Sequence, residues 1–289
     1  MVNTFWHRCF LALAGAILGS AFSINAYPQE PAPTQQPEQT PEPPDQPVQL
    51  TAVPNRPTFA STAETVGSGV FEIEYGMEAA SKHQNINGVL KFGLFPHMEL
   101  WFTNDHLERD SGVAGVGDSA AGFKYKFYNQ TKPLPSLSIF YLAAIPTASA
   151  SLGTGAMGHS LQLLASKDFG KHHFDVNYGP NFLGRPGGSG FDRQYFSALS
   201  YSHPIAGKWA WTGEIAGYSR ANAANPGSMI LLASALYSVS PRLVLDCGGY
   251  FSVYGNFPRF TFAAGLTYSV ADLYHHRPHQ ATARPRRNF

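Results

Sequence analysis

From Gly69 onward, apolar and polar residues alternate in segments of roughly ten residues, the spacing and length of strands that cross a bilayer. Tight turns and looser Gly/Ser loops separate these segments in turn. A period of two sends successive side chains to opposite faces of a strand. An unbroken succession of such strands predicts an all-β fold, an antiparallel transmembrane β-barrel of about 12 strands. The expected strands cover 69–81, 85–95, 98–108, 116–129, 136–148, 158–169, 172–184, 192–205, 209–220, 228–239, 243–255 and 259–271. In the first, Phe71, Ile73, Tyr75 and Met77 alternate with Glu72, Glu74 and Glu78, so the apolar set is assigned to lipid and the glutamates to the lumen. The fourth repeats the pattern, with Phe123, Tyr125 and Phe127 set against Lys124 and Lys126.

The connections alternate in kind. Short turns are expected at Pro96-His97, 130–135, Gly170-Lys171, 206–208 and Ser240-Pro241, and longer loops around 109–115, 149–157, 186–191 and 222–227, with shorter ones near Lys82 and Phe257. Short turns at one end and longer loops at the other is the asymmetry of outer-membrane barrels. An even strand number returns both ends of the barrel to the short-turn, periplasmic side.

Ahead of the strands, His7 and Arg8 precede an apolar run from Cys9 to about Phe22. It falls short of the roughly 20 residues a spanning helix needs and predicts a signal peptide, residues 1–26, cleaved after Ala26, with Ala21 and Ser23 as alternative positions. Residues 27–53 are rich in Pro, Gln, Glu and Thr and are expected to form a disordered periplasmic tether. The barrel is assigned to 54–274 and a basic tail to 275–289. Removal of the signal leaves Cys247 as the lone cysteine, so no internal disulfide is available and closed strand pairing must hold the fold. Charged residues make up 13% of the chain and the formal charge is +1, which offers no basic field for nucleic acid. No stretch after the signal reaches the length of a spanning helix.

Several stretches resemble a known family. They are Pro54-Asn55-Arg56-Pro57-Thr58-Phe59; the run from Glu64 to Gly76; Phe92-Gly93-Leu94 to Glu99-Leu100; Gly117-Asp118 to Phe123-Lys124-Tyr125; Gly213-Glu214; Pro241-Arg242 to Leu245-Asp246; and Gly265-Leu266-Thr267-Tyr268. In order and spacing they are similar to the outer-membrane barrels of the MetA-pathway (phenol meta-pathway) transporter-like family, over 54–270. Asn55 stands where that family usually carries an acidic residue. The resemblance implies an outer-membrane protein with a transport role and an association with aromatic degradation.

Enzyme chemistry is not expected. Gly153-Thr154-Gly155-Ala156-Met157-Gly158 matches a dinucleotide fingerprint in its letters, but a strand follows where that motif needs a helix. Ser81 and His83 share a strand face, yet no orienting carboxylate or amide lies nearby in sequence. His275, His276 and His279 form a cluster in the tail, and His172 and His173 fall on opposite faces of a strand start. No cofactor and no metal are expected. The residues singled out for function are polar groups predicted to line the lumen: Lys124, Lys126, Asp175, Asn177, Glu214 and Asp246. On the lipid face, a Lys or Arg at midplane would cost about 2–4 kcal/mol. Two readings lead, a passive channel for small solutes, hydrophobic or aromatic ones among them, and a non-conducting barrel with a structural or partner-binding role; an outer-membrane lipid hydrolase using Ser81 and His83 stands behind both. The expected partners are outer-membrane lipid, a small-molecule solute and the barrel-assembly machinery.

Overall fold

The computed structural model describes residues 50–149 and 151–274. The expected signal peptide, nearly all of the expected tether, and the tail with its three histidines lie outside the described residues. Thirteen strands follow one another: β1 (Val70–Ala79), β2 (His83–Phe95), β3 (Met98–Asp110), β4 (Val113–Gly115), β5 (Ser119–Tyr128), β6 (Ser136–Ile145), β7 (Gly158–Phe169), β8 (His172–Gly184), β9 (Phe191–Ala206), β10 (Trp209–Tyr218), β11 (Ser228–Ser240), β12 (Leu243–Tyr254) and β13 (Phe260–Asp272). Each wall strand pairs antiparallel with the next, and β13 returns to pair with β1 from Val70↔Asp272 to Ala79↔Phe262. Closure leaves no unpaired edge, which is the condition for a sheet to cross lipid.

β4 pairs only with β3, so the wall contains 12 strands and β4 extends a ribbon above it. That ribbon replaces the loop expected at 109–115. Ser111 and Gly112 both have positive φ, 49° and 93°, the backbone of a tight two-residue hairpin turn that folds Asp110 back onto Val113. The short turns fall at the end where β1 begins and β13 ends, as expected. Gly170 and Gly207 take positive φ in two of them, and His97 does so after Pro96.

Burial is inverted relative to a water-soluble protein. Along β1, Glu72 and Glu74 are buried while Tyr75 and Met77 are exposed. Leu90, Phe102, Tyr125, Leu163, Leu231 and Phe262 extend the exposed apolar surface around the wall. A band this large and apolar is a lipid-facing surface. Trp209, Trp211 and Phe169 stand near its short-turn rim, where rings suit the headgroup level. No described helix is long and apolar enough to cross a membrane.

Candidate functional site

The lumen is not empty. Residues 50–69, which precede β1, run inside the barrel as an irregular strap. It starts at the short-turn mouth, where Ala52 N–H donates to Pro241 O at 2.8 Å, and returns to that mouth, where Gly69 N–H donates to Gly93 O at 2.7 Å. Between these points it bonds to strands on opposite sides of the ring. Asn55 N–H reaches Glu74 on β1 at 2.8 Å, whereas Ser61 N–H reaches Asn177 on β8 at 2.7 Å. Ala60 N–H reaches Glu214 on β10 at 2.6 Å, whereas Val66 N–H reaches Glu99 on β3 at 2.6 Å. Both pairs of strands face each other across the 12-membered ring, so the strap spans the lumen along two diameters. An eight-stranded barrel is filled by its own side chains and a sixteen-stranded one is open. Twelve strands leave room for one additional chain.

A strap inside a closed barrel cannot join the backbone ladder, and its buried N–H and C=O groups need partners. Wall side chains supply them. Glu72 accepts from Val53 N–H at 2.8 Å, and Glu214 also accepts from Phe59 N–H at 2.9 Å. Lys91 donates to Val53 O at 2.7 Å, Lys124 to Glu64 O at 3.1 Å and Ser138 to Ala63 O at 2.5 Å. Asn177 closes a two-way bond by donating to Ser61 O at 3.0 Å. The apolar side chains of the strap fill pockets of the wall: Ala63 packs with Trp101, Phe140 and Leu164, and Ala60 with Phe196, Ala198 and Ala216. Phe59 meets Tyr250 edge-on at 5.2 Å between centroids and approaches Phe257 of the β12–β13 loop at 6.4 Å.

Charges are distributed unevenly around the wall. On β1 to β5 they are paired: Lys91 with Glu72 at 2.7 Å and Glu74 at 2.5 Å, and Lys124 with Glu99 at 3.0 Å, all fully or almost fully buried. Lys126 joins Glu64 of the strap at 2.8 Å nearer the mouth. On β8 to β12 the carboxylates lack lysines. Asp175 is met by Ser166 at 2.5 Å and His173 at 2.9 Å, Glu214 by the two strap N–H groups, and Asp246 by Arg56 of the strap at 3.7 Å. A small polar chamber lies here between strap and wall, lined by Arg56, Thr58, Asp175, Ser200, Ser202 and Thr212.

A protein family described as "Putative MetA-pathway of phenol degradation" matches residues 54–270, strap and barrel together. The chain belongs to that family. Its fold is similar to the crystal structure of the COG4313 outer membrane channel from Pseudomonas putida F1, at 13% identity and a TM-score of 0.57, covering 71% of this chain and 97% of that one. The NanC porin is similar at 10% identity and a TM-score of 0.51, covering 69% of this chain and 100% of that one. The KdgM porin in complex with disordered oligogalacturonate follows at 11% identity and a TM-score of 0.50, covering 69% and 99%. No curated protein matches the chain.

In this member of the phenol-degradation family, the structure places Lys124, Lys126, Asp175, Asn177, Glu214 and Asp246 on the inner face, all buried. Five of them contact the strap directly and Asp175 contacts it through Ser166, which also accepts from Ala63 N–H at 2.7 Å. Sequence reasoning did not single out the strap, its Arg56, or its wall partners Glu99, Lys91, Ser138 and Ser166. Leu50 to Val53, assigned to the tether from composition, are packed at the mouth, with Ala52 and Val53 buried. Their apolar side chains separate them from the Pro/Gln-rich stretch before them. The Gly-rich run at 153–158 leads into β7 and not a helix. Ser81 and Lys82 are exposed in the β1–β2 bend, and His172 and His173 point to opposite faces, His173 inward to Asp168 and Asp175. Among the described residues no group of His, Cys, Asp or Glu could hold a metal ion.

Proposed function

We propose that this protein is a passive outer-membrane channel for small solutes, held in a closed state by its own strap. The observation that carries the reading is the strap's bonding along two lumen diameters within a closed 12-strand wall. A purely structural barrel gains nothing from burying six wall carboxylates around a removable chain, whereas a channel needs a polar wall once the chain has moved. Family membership supports transport, and the family's description supports aromatic compounds among the solutes. The lumen-facing rings Phe196, Tyr218 and Tyr250, with Phe59, offer such a solute an apolar surface in the long-loop half of the path. Export through the N-terminal signal and residence in the outer membrane complete this reading. No catalysis is assigned to it.

The strap's extensive anchoring favours one rival, a barrel that never conducts. Single-channel recording of the full chain in planar bilayers separates the two. The intact protein is expected to stay mostly closed, and Glu214→Ala, which removes two strap hydrogen bonds, to raise its open fraction about tenfold. Silence from folded protein with and without the substitution establishes the non-conducting barrel.

A further inference from the structure

Arg56 occupies a slot that the wall builds for a guanidinium. Its Nη1 donates to Asn87 Oδ1 on β2 at 2.6 Å and its Nη2 to Ala264 O on β13 at 3.4 Å, while Nε lies 3.7 Å from Asp246 Oδ2 on β12. Two glycines clear the space: a Cβ at Gly76 on β1 or at Gly265 on β13 would collide with the guanidinium. Four strands therefore contribute a carboxylate, a carbonyl, an amide oxygen and two absent side chains to one planar cation.

The fit of Arg56 itself is incomplete. At 3.7 Å its contact with Asp246 is an ion pair without a hydrogen bond. Both Arg56 Nε and Asp246 Oδ1 are buried with no hydrogen-bond partner, and the Asp246 side chain is only 3% exposed. Arg56 hangs from a strap fixed on either side, by Asn55 N–H on Glu74 and by Phe59 N–H on Glu214. A guanidinium free of that tether can turn to engage both oxygens of Asp246, the parallel two-bond arrangement that carboxylates favour.

We propose that this slot is a lumenal binding site for small solutes bearing a guanidinium or primary amine, and that Arg56 fills it as a built-in competitor. The inference rests on the channel reading for the route by which such a solute arrives. Binding can be measured without conduction. Asp246 supplies the charge, Asn87 and Ala264 O fix the plane, and Gly76 and Gly265 set the width.

The test is thermal unfolding of the refolded full-length protein in detergent, with and without methylguanidinium chloride at matched ionic strength. Arg56→Ala empties the slot and Arg56→Gln serves as a second variant that removes the guanidinium while keeping a polar side chain on the strap. In either variant the solute is expected to raise the unfolding midpoint by about 2–4 °C when it exceeds its dissociation constant several-fold. The intact protein and the Arg56→Ala, Asp246→Asn double variant are expected to show no such rise. Equal responses from all four proteins would overturn the proposal, as would no response from either single variant. A rise without any conductance in bilayers would keep the site and remove the channel.

Discussion

The two sides of the lumen hold the same strap by different means. On β1 to β5 the wall charges neutralise one another before they meet the strap, through Lys91 with Glu72 and Glu74 and Lys124 with Glu99. On β8 to β12 the carboxylates are met by the strap's N–H groups, by hydroxyls, by His173 and by Arg56. The first side is costly to break, because its charges are paired with one another as well as bonded to the strap. The second is cheap to break and depends on it. On the channel reading, a strap gripped in this way should move first on the β8 to β12 side, where the polar chamber lies.

The largest expected effect comes from breaking the paired side. Glu99→Ala leaves Lys124 buried without its counter-charge and removes the acceptor of Val66 N–H and Trp101 Nε1–H. It should destabilise the barrel by about 3–5 kcal/mol, measured by denaturant unfolding, and Lys124→Met placed with Glu99→Gln should recover much of the loss. On the other side, Glu214→Ala should cost about 1–3 kcal/mol through the two unpaired strap N–H groups. Limited proteolysis after Phe59 reads the difference, because the strap loosens there while the wall stays intact. An equal loss from Glu99→Ala and Glu214→Ala would erase the distinction between the sides. The smallest effect is expected at the mouth: Glu64 is 29% exposed, so Lys126→Ala should cost less than about 1 kcal/mol and the cost should fall in high salt.

The wall was legible because a strand crossing lipid must alternate, and every misplaced charge is penalised. Phe123, Tyr125 and Phe127 against Lys124 and Lys126 therefore declare both faces in five residues. The turns were legible for the same reason at Gly170-Lys171 and Pro96-His97, where positive φ is required or Pro starts the bend. The strap was not, because it has no period. Its bonds are backbone N–H groups meeting side chains 19 to 155 residues away, and nothing at Phe59 or Ala60 names Glu214 as partner. A signal was nonetheless present. Ala52, Val53, Phe59, Ala60, Ala63 and Val66 are too apolar for a tether in water, and the inward charges Glu72, Glu74, Lys91, Glu99, Lys124 and Lys126 crowd the short-turn half of the wall. Those two observations together require a chain to be buried between those charges. β4 escaped because three residues are too few to show alternation.

The strap's partners are scattered from Glu72 on β1 to Asp246 on β12. Docking therefore cannot precede closure of the ring, since half the acceptors do not yet stand opposite the other half. Residues 50–69 come before every strand in the chain and should be the last to find their place. The slow search for long-range strand pairs and the seating of the strap are separate kinetic steps. Variants on the β8 to β12 side should slow or reverse only the second, leaving a sealed ring whose refolding rate is that of the parent.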